Sequence, residues 1–331
     1  MSSFNIWVTE KCNLCCTYCY ETSKRTLSMS DETIGKTIAF IRKNFQINDY
    51  NMINFHGGEP LIAADIILRI VSECNSMGRF CYSLTTNGLL LNEDLAKKLI
   101  DSRIYISLSL DGTKEVHDLN RKKHDGTGTY DIVVNSLQLL KRKEVPVRIR
   151  MTVSPETSPY LFDSVMNAVK LGSKTIVVLP DLYDDNWNEQ LLDNIKEQLI
   201  RIYTKLSNYK DVTFAFYSEL KRIKKGSCKG GISEYNISAD GKIYPCSYSV
   251  NDKDYIIGSV DSGIDDKLLD KHRKYYEKNN MTCDGCSNES ACIASRCKFI
   301  NKTLTGDYLS APPIICKLER ILNEVRVVIN D

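Results

Sequence analysis

Short runs rich in β-branched and aromatic residues recur through the first two thirds of the chain. They lie at Phe4–Val8, Met52–Phe55, Tyr82–Thr86, Ile104–Leu110, Val147–Val153 and Thr175–Leu179, and each has the length and composition of a strand. Between them the apolar positions switch to helical spacing. Ile34, Ile38, Ile41 and Phe45 follow Ser30, Asp31 and Glu32. Ser30 suits an N-cap, and the two acids suit the positive end of a helix dipole. Asn92 with Glu93 and Asp94 opens a second helix in which Leu95 and Leu99 lie one turn apart. Val133, Leu137 and Leu140 line a third, and Leu191, Ile195, Leu199 and Ile202 line a longer one.

Six strand–helix units in series predict a parallel sheet, because parallel strands need crossovers. A doubly wound sheet and a barrel share that pattern. The polar and unusual residues follow successive strands, at Cys12–Cys19, His56–Pro60, Thr86–Gly88 and Asp111–Gly112. A barrel builds its site this way, at the C-terminal ends of many strands, whereas a doubly wound sheet gathers it at one switch point. The expectation is an α/β fold, a partial (β/α)6 TIM-like barrel over residues 1–208. Beyond about residue 210 the helical period fades, and Gly, Cys, Lys and Asn dominate Lys224–Cys246 and Met281–Cys316. Residues 209–331 are expected to form a small cysteine-rich domain that buries little apolar core and relies on metal staples. The basic run Lys221–Lys225 reads as a solvated face. No internal repeat or low-complexity linker separates the two parts.

Composition changes this picture at one point. Apolar residues make up 42% and charged residues 26% of 331, with a net charge of +2, so nothing favours nucleic acid or an anionic membrane as the main partner. The opening MSSFNIWVTEKC has no basic segment leading into a long apolar run, and no stretch has the length of a membrane span. The expected location is the cytoplasm. Thirteen cysteines are then out of place, because cytoplasmic thiols stay reduced and such density points to metal or redox chemistry. They are also clustered: Cys12, Cys15, Cys16 and Cys19 stand at the front, seven lie from Cys228 to Cys316, and only Cys74 and Cys81 fall between.

Cys12, Cys16 and Cys19 form C-x3-C-x2-C. Three thiolates from one loop suit three irons of a [4Fe-4S] cubane, with the fourth iron left for a small molecule. A structural zinc site takes four ligands, typically in two close pairs, and fits this spacing poorly. Cys15 is the spare, expected as a small buried hydrophobe like Cys74 and Cys81.

Further segments stand in order on the expected elements: Tyr18 before the third cysteine, "FHGGEPL" at Phe55–Leu61, "TTNG" at Thr85–Gly88 and "SLDG" at Ser109–Gly112. Together with the cysteine loop they resemble the radical S-adenosylmethionine (SAM) superfamily over residues 4 to about 205. The resemblance implies that Cys12, Cys16 and Cys19 ligate the SAM cluster, and that SAM's amino and carboxylate groups chelate the open iron. It implies that Gly57, Gly58 and Glu59 receive the amino group. Asn87 and Ser109 would lie near the ribose and methionine moieties, and Tyr18 would meet adenine through its backbone. His56 reads as packing. His117 and Arg121, in "EVHDLNR", read equally as a structural salt-bridge segment or as a SAM contact. The implied chemistry is reductive cleavage of SAM to a 5′-deoxyadenosyl radical, which removes a hydrogen atom from an unactivated carbon.

The rear cysteines run Cys228, Cys246, then Cys283, Cys286, Cys292 and Cys297 as C-x2-C-x5-C-x4-C, and finally Cys316. This resembles the SPASM extension, a seven-cysteine module with two auxiliary [4Fe-4S] clusters, and departs from it by one residue before Cys297. A zinc ribbon is the alternative for Cys283 and Cys286. The resemblance implies that Cys283, Cys286, Cys292 and Cys316 hold a distal cluster and that Cys228, Cys246 and Cys297 hold a proximal one. A formylglycine-forming relative would carry an eighth cysteine shortly before Cys228, but Phe216–Ser227 has none. One proximal iron would be open to a substrate thiolate, water or another ligand.

Enzymes with this extension act mostly on peptides and proteins. One reading is a maturase of a ribosomally made peptide that forms a thioether or carbon–carbon crosslink, with epimerisation as a variant. A second is an anaerobic sulfatase-maturating enzyme, which would carry an Asp where "IYPCSYS" has Ser247. A third is an iron–sulfur scaffold or sensor that binds SAM without turnover. The implied partners are a ribosomal precursor peptide and an external electron donor such as flavodoxin or ferredoxin. Since the first barrel strand begins at about Phe4, leader recognition would fall to a separate protein or to a strand edge of the rear module.

Overall fold

In the computed structural model, which describes residues 1–21, 26–217 and 226–330, the strand runs form one sheet. β1 (Ser3–Thr9), β2 (Asn51–Gly57), β3 (Phe80–Thr86), β4 (Ile104–Ser109), β5 (Val147–Val153), β6 (Thr175–Pro180) and β7 (Thr213–Phe216) are parallel neighbours in chain order. The Lys221–Lys225 run lies outside the described residues. The helices are α1 (Asp31–Asn44), α2 (Ala64–Asn75), α3 (Glu93–Asp101), α4 (Lys114–Asn120), α5 (Tyr130–Arg142), α6 (Leu161–Lys170) and α7 (Glu189–Leu206). Ser30 caps α1 by accepting from the Thr33 N–H, and Asn92 caps α3 by accepting from the Leu95 N–H. Asn188 caps α7 in the same way through the Leu191 N–H.

Strand alternation sorts the side chains. Phe4, Ile6, Ile53, Phe55 and Leu84 face the helices and form one core with Ile34, Ile41, Ile67 and Leu99. Ile149, Met151, Ile176 and Val178 form a second core with Val133, Val165, Ile195 and Leu199. The opposite face is polar. Asn5 Nδ2 donates to Asn236, Asn54 Nδ2 donates to Asn5, and Ser83 Oγ donates to Asn54, at 2.9, 2.8 and 2.6 Å. This ladder satisfies side chains that would otherwise be costly to bury.

The rear segment departs from expectation. β8 (Glu234–Ile237) pairs in parallel with β1, opposite β2, and β9 (Lys242–Tyr244), β10 (Gly258–Ser259) and β11 (Gly263–Ile264) extend the same sheet antiparallel. The sheet stays open, with β7 and β11 at its ends. Behind it come α8 (Asp266–Arg273), α9 (Ile293–Arg296), α10 (Lys298–Thr305) and α11 (Pro313–Asn330). Little apolar burial was expected here. Instead Tyr235, Ile237, Ile243, Ile257 and Leu269 join the first core, and Ile315, Leu318, Leu322 and Val325 of α11 join the second. The rear residues complete cores that the front residues begin, so a compositional average hides their burial.

Candidate active site

The cysteine loop leaves β1 and is held from three sides. At the end of β2, the Gly58 N–H donates to the Thr9 carbonyl at 3.1 Å and the Glu59 N–H to the Lys11 carbonyl at 2.8 Å. This approach requires glycine. A Cβ on Gly57 (φ +149°) would sit 2.2 Å from the Thr9 oxygen, and one on Gly58 would sit 2.4 Å from the Lys11 oxygen. From the β3 end, Asn87 Nδ2 donates to Asn13 at 2.7 Å. From the end of α4 and just past it, the Asn120 and Lys122 carbonyls accept from the Thr17 and Cys15 N–H groups at 3.1 and 2.9 Å. Cys15 is exposed, its thiol near the Lys123 carbonyl at 3.2 Å. The expected burial does not occur, because the loop turns this side chain outward while holding its backbone. Cys74 is buried, and Cys81 is only half-buried, on the face of β3 opposite Tyr82 and Leu84.

Nine of the front residues singled out from the sequence meet at one cavity of about 360 Å³: Cys12, Cys16, Cys19, Tyr18, Gly57, Gly58, Glu59, Asn87 and Ser109 all line it. Glu59 is buried, and its carboxylate accepts from the Leu61 N–H, Thr86 Oγ1 and the Asn87 N–H at 3.0, 2.7 and 2.7 Å. Burial outweighs these donors and raises its pKa to about 6. Glu59 thus braces the Asn87 turn, which in turn braces the cysteine loop.

Asp111 is the second organiser. Arg121 grips it with Nε and Nη2 at 2.8 and 3.1 Å, and the Thr152 N–H donates to it at 2.9 Å. The Tyr18 hydroxyl donates to it as well, and the Arg121 guanidinium lies over the Tyr18 ring, 5.4 Å from its centroid. Arg121 thus makes the ion pair and also lines the cavity. His117 Nδ1 accepts from the Asp111 N–H at 3.2 Å, so its proton sits on Nε2, which faces Thr129 Oγ1 at 3.0 Å. Burial depresses its pKa to about 4. His56 stacks on Trp7, with centroids 4.8 Å apart, as a packing role requires.

Apart from Ser247, the other half of the cavity was not anticipated. Tyr20, Arg150, Asp181, Tyr183, Tyr217, Ser247 and Tyr248 line it. They come from the end of the cysteine loop, from β5, from the ends of β6 and β7, and from the turn after Cys246. No short motif joins them. The one sequence signal was the polar alternation of Arg148, Arg150 and Thr152 along β5.

The rear thiols act on one another electrostatically. Burial raises the Cys246 thiol, and nearby Cys297 and Cys228 raise it further. Burial raises Cys292, with Cys316 adding to the effect, and Cys316 itself is raised by burial and then by Cys283 and Cys286. Cys228 and Cys246 pack on the Tyr276, Phe299 and Tyr308 cluster. Buried Lys298 donates to Asn280 at 2.5 Å. Among the described residues, no three His, Cys, Asp or Glu side chains close on one point as ligands of a single ion would. A cubane takes its thiolates at separate irons, so its ligands stand apart.

Residues 6–160 match the family model of the radical SAM superfamily. An uncharacterized protein of Methanocaldococcus jannaschii, MJ0907, is 31% identical over 207 residues, spanning 61% of this chain and 70% of that protein. A cysteine-type anaerobic sulfatase-maturating enzyme of Clostridium novyi is 26% identical over 318 residues, 86% of this chain and 84% of that enzyme. Among solved structures, anSMEcpe with bound AdoMet superposes with a TM-score of 0.84 at 21% identity, covering 100% of this chain and 98% of that one. SuiB of Streptococcus suis bound to its precursor peptide SuiA gives 0.70 at 15% identity, covering 95% and 75%. These superpositions show a shared fold.

Proposed function

The chain belongs to the radical SAM superfamily, and we propose that this enzyme modifies a ribosomally made peptide, forming a thioether or carbon–carbon crosslink. The observation that carries the reading is the single two-sided cavity. One side gathers the thiols, the glycine edge and the Glu59–Asn87 brace, and the other is a wall of tyrosines partly supplied by the rear segment. The first side has the chemistry for a cofactor, and the second has the half-apolar, half-polar character that peptide contacts use.

The front residues fit a [4Fe-4S] cluster with SAM. The donor set is three cysteine thiols from one loop, the soft ligands such a cluster takes, and the glycines let the end of β2 close on that loop, where a Cβ would strike the Thr9 and Lys11 carbonyls. When bound, cluster and SAM supply a 5′-deoxyadenosyl radical able to take a hydrogen atom from the substrate. Cys12, Cys16 and Cys19 hold the cluster. The Gly58 and Glu59 N–H groups are committed to the loop, so the edge of Gly57, Gly58 and Glu59 offers a ligand carbonyl and carboxylate oxygen, the polarity an ammonium needs. Asn87 and Ser109 meet the ribose and methionine parts, and the Tyr18 backbone meets adenine. Tyr20, Tyr183 and Tyr248 shield the reacting space from water.

In this reading residues 1–208 form the radical SAM core and 209–331 a SPASM domain with two further [4Fe-4S] clusters. Cys283, Cys286, Cys292 and Cys316 hold one, and Cys228, Cys246 and Cys297 the other, leaving an iron that a peptide thiolate can reach. A flavodoxin or ferredoxin supplies electrons, a separate protein presents the leader, and the cytoplasm is the reducing setting. Formylglycine formation is the second reading. It is favoured by the named activity of the clostridial relative and by the Asp181 carboxylate, which lines the cavity alongside Ser247. Anaerobic co-expression with any short peptide encoded beside the gene, followed by tandem mass spectrometry, separates the readings. Loss of two hydrogens at one residue pair supports the crosslink. Deuterium uptake from solvent without a crosslink means epimerisation, and formylglycine in a sulfatase-like sequence overturns the first reading.

A further inference from the structure

The cavity holds two guanidinium groups in different states. Arg121 is paired with Asp111 through Nε and Nη2. Arg150, on β5 in register with Ser109 of β4 and Val177 of β6, is half-buried and lines the same cavity. Among the described residues it has neither an ion-pair nor a hydrogen-bond partner for its side chain. Its electrostatic neighbours are Tyr20 and Tyr248 together with two further cations, Arg148 and Arg121. The cavity's carboxylates are turned to other donors. Glu59 serves Leu61, Thr86 and Asn87, Asp181 accepts from the Tyr183 N–H at 3.0 Å, and Glu21 accepts from Trp7 Nε1 at 2.7 Å. A guanidinium partly removed from water, near like charges and without a counter-ion, is an unfavourable arrangement. Its five donors in a planar fork match a carboxylate.

We propose that Arg150 anchors a carboxylate of the peptide substrate, either an Asp or Glu side chain or the C-terminus, at a fixed distance from the residue that reacts. The proposal rests on the peptide-modifying reading. In that reading the carboxylate of SAM is consumed by the open iron, which leaves the substrate as the source. The walls beside Arg150 agree. Tyr20, Tyr183 and Tyr248 are 53%, 40% and 39% exposed, and the last two rings lie 6.3 Å apart, forming an aromatic slot that leads to the fork. Tyr20 ends the cysteine loop and Tyr248 follows Cys246, so a peptide pinned at Arg150 spans from the front thiols to the rear ones.

The test uses the full-length enzyme, anaerobically reconstituted with clusters and supplied with SAM and reductant. It is offered a synthetic library of random peptides, in free-acid and C-terminally amidated forms, and the products are sequenced by tandem mass spectrometry. Wild-type products are expected to be enriched in Asp or Glu at one fixed spacing from the modified residue. If the C-terminus is the source, modification is instead lost on amidation. Arg150→Glu is expected to select Lys or Arg at that position. Arg150→Met is expected to raise KM for the best acidic peptide by about 10- to 100-fold, with a smaller change in kcat. Modified products with no acidic or terminal preference overturn the anchor while leaving peptide modification standing. So does the same enrichment in Arg150→Glu. A SAM dissociation constant weakened more than about tenfold in Arg150→Met gives the guanidinium to SAM and also overturns it. A library in which the wild type modifies nothing defeats the peptide reading and the anchor with it.

Discussion

Replacing Asp111 by Asn is expected to be among the most damaging single changes in the cavity wall. Its side chain is 0% exposed and that of its partner Arg121 is 10% exposed. Two charge-assisted hydrogen bonds of 2.8 and 3.1 Å join them. The same carboxylate accepts from the Thr152 N–H and the Tyr18 hydroxyl. The change leaves Arg121 charged and buried without a counter-ion. Breaking one end of a buried pair costs about 3–5 kcal/mol, and that is the expected loss in unfolding free energy, read by urea titration with circular dichroism. The control is a cycle with Arg121→Met. If the pair is the source of the effect, the double variant loses less than the sum of the singles by about 3 kcal/mol, because no charge is left stranded. Tyr18 immediately precedes Cys19, so iron bound after reconstitution falls in Asp111→Asn as well. Additive singles, with coupling below about 0.5 kcal/mol, would refute the reasoning and assign the cost to the Thr152 and Tyr18 contacts instead.

Three other outcomes follow from the same geometry. The His117 ring is buried neutral, with its pKa at about 4 against an ordinary 6.5. The unfolded chain therefore takes up the proton first, and about 3 kcal/mol of stability is lost as pH falls from 6.5 through 4; urea midpoints across that range should be flatter in His117→Gln. Gly58→Ala places a Cβ 2.4 Å from the Lys11 carbonyl, so it should displace the cysteine loop and reduce both iron content and SAM affinity, measured by iron assay and calorimetry. Cys16→Ser should lose the iron and sulfide of one cubane, whereas Cys15→Ser, altering an exposed thiol outside the cavity, should keep them.

The front half of the fold was legible because local signals and tertiary structure agree there. Ile104 begins β4 and Val147–Val153 is β5 as the pattern predicts, and Ser30 and Asn92 cap the helices they announce. The motif residues also converge, since each follows a parallel strand and all those strand ends face the same way. Legibility failed where position depends on distant partners. β8 through β11 are strands of two to four residues, too short to show a period, and they exist because β1 offers β8 an edge. α11 carries Ile315, Leu318, Leu322 and Val325 at helical spacing, a signal masked by the cysteine-rich stretch before it. Arg150 and the tyrosine wall come from unrelated segments, so only the assembled barrel brings them together. Cys15 was misjudged because spacing reveals which thiols belong to a set and not which way the spare one points.

The pairing of β1 with β8 governs how the protein can be made. β1 leaves the ribosome long before β8, so one of its two neighbours arrives only with Glu234–Ile237, and the Asn5–Asn236 bond closes a span of 231 residues. Until then the nascent barrel carries a bare backbone edge along β1, the kind of edge that recruits other chains. The rear segment is thus a late-arriving cover for an early-exposed seam, and that seam is open to other chains in the time between the synthesis of β1 and that of β8.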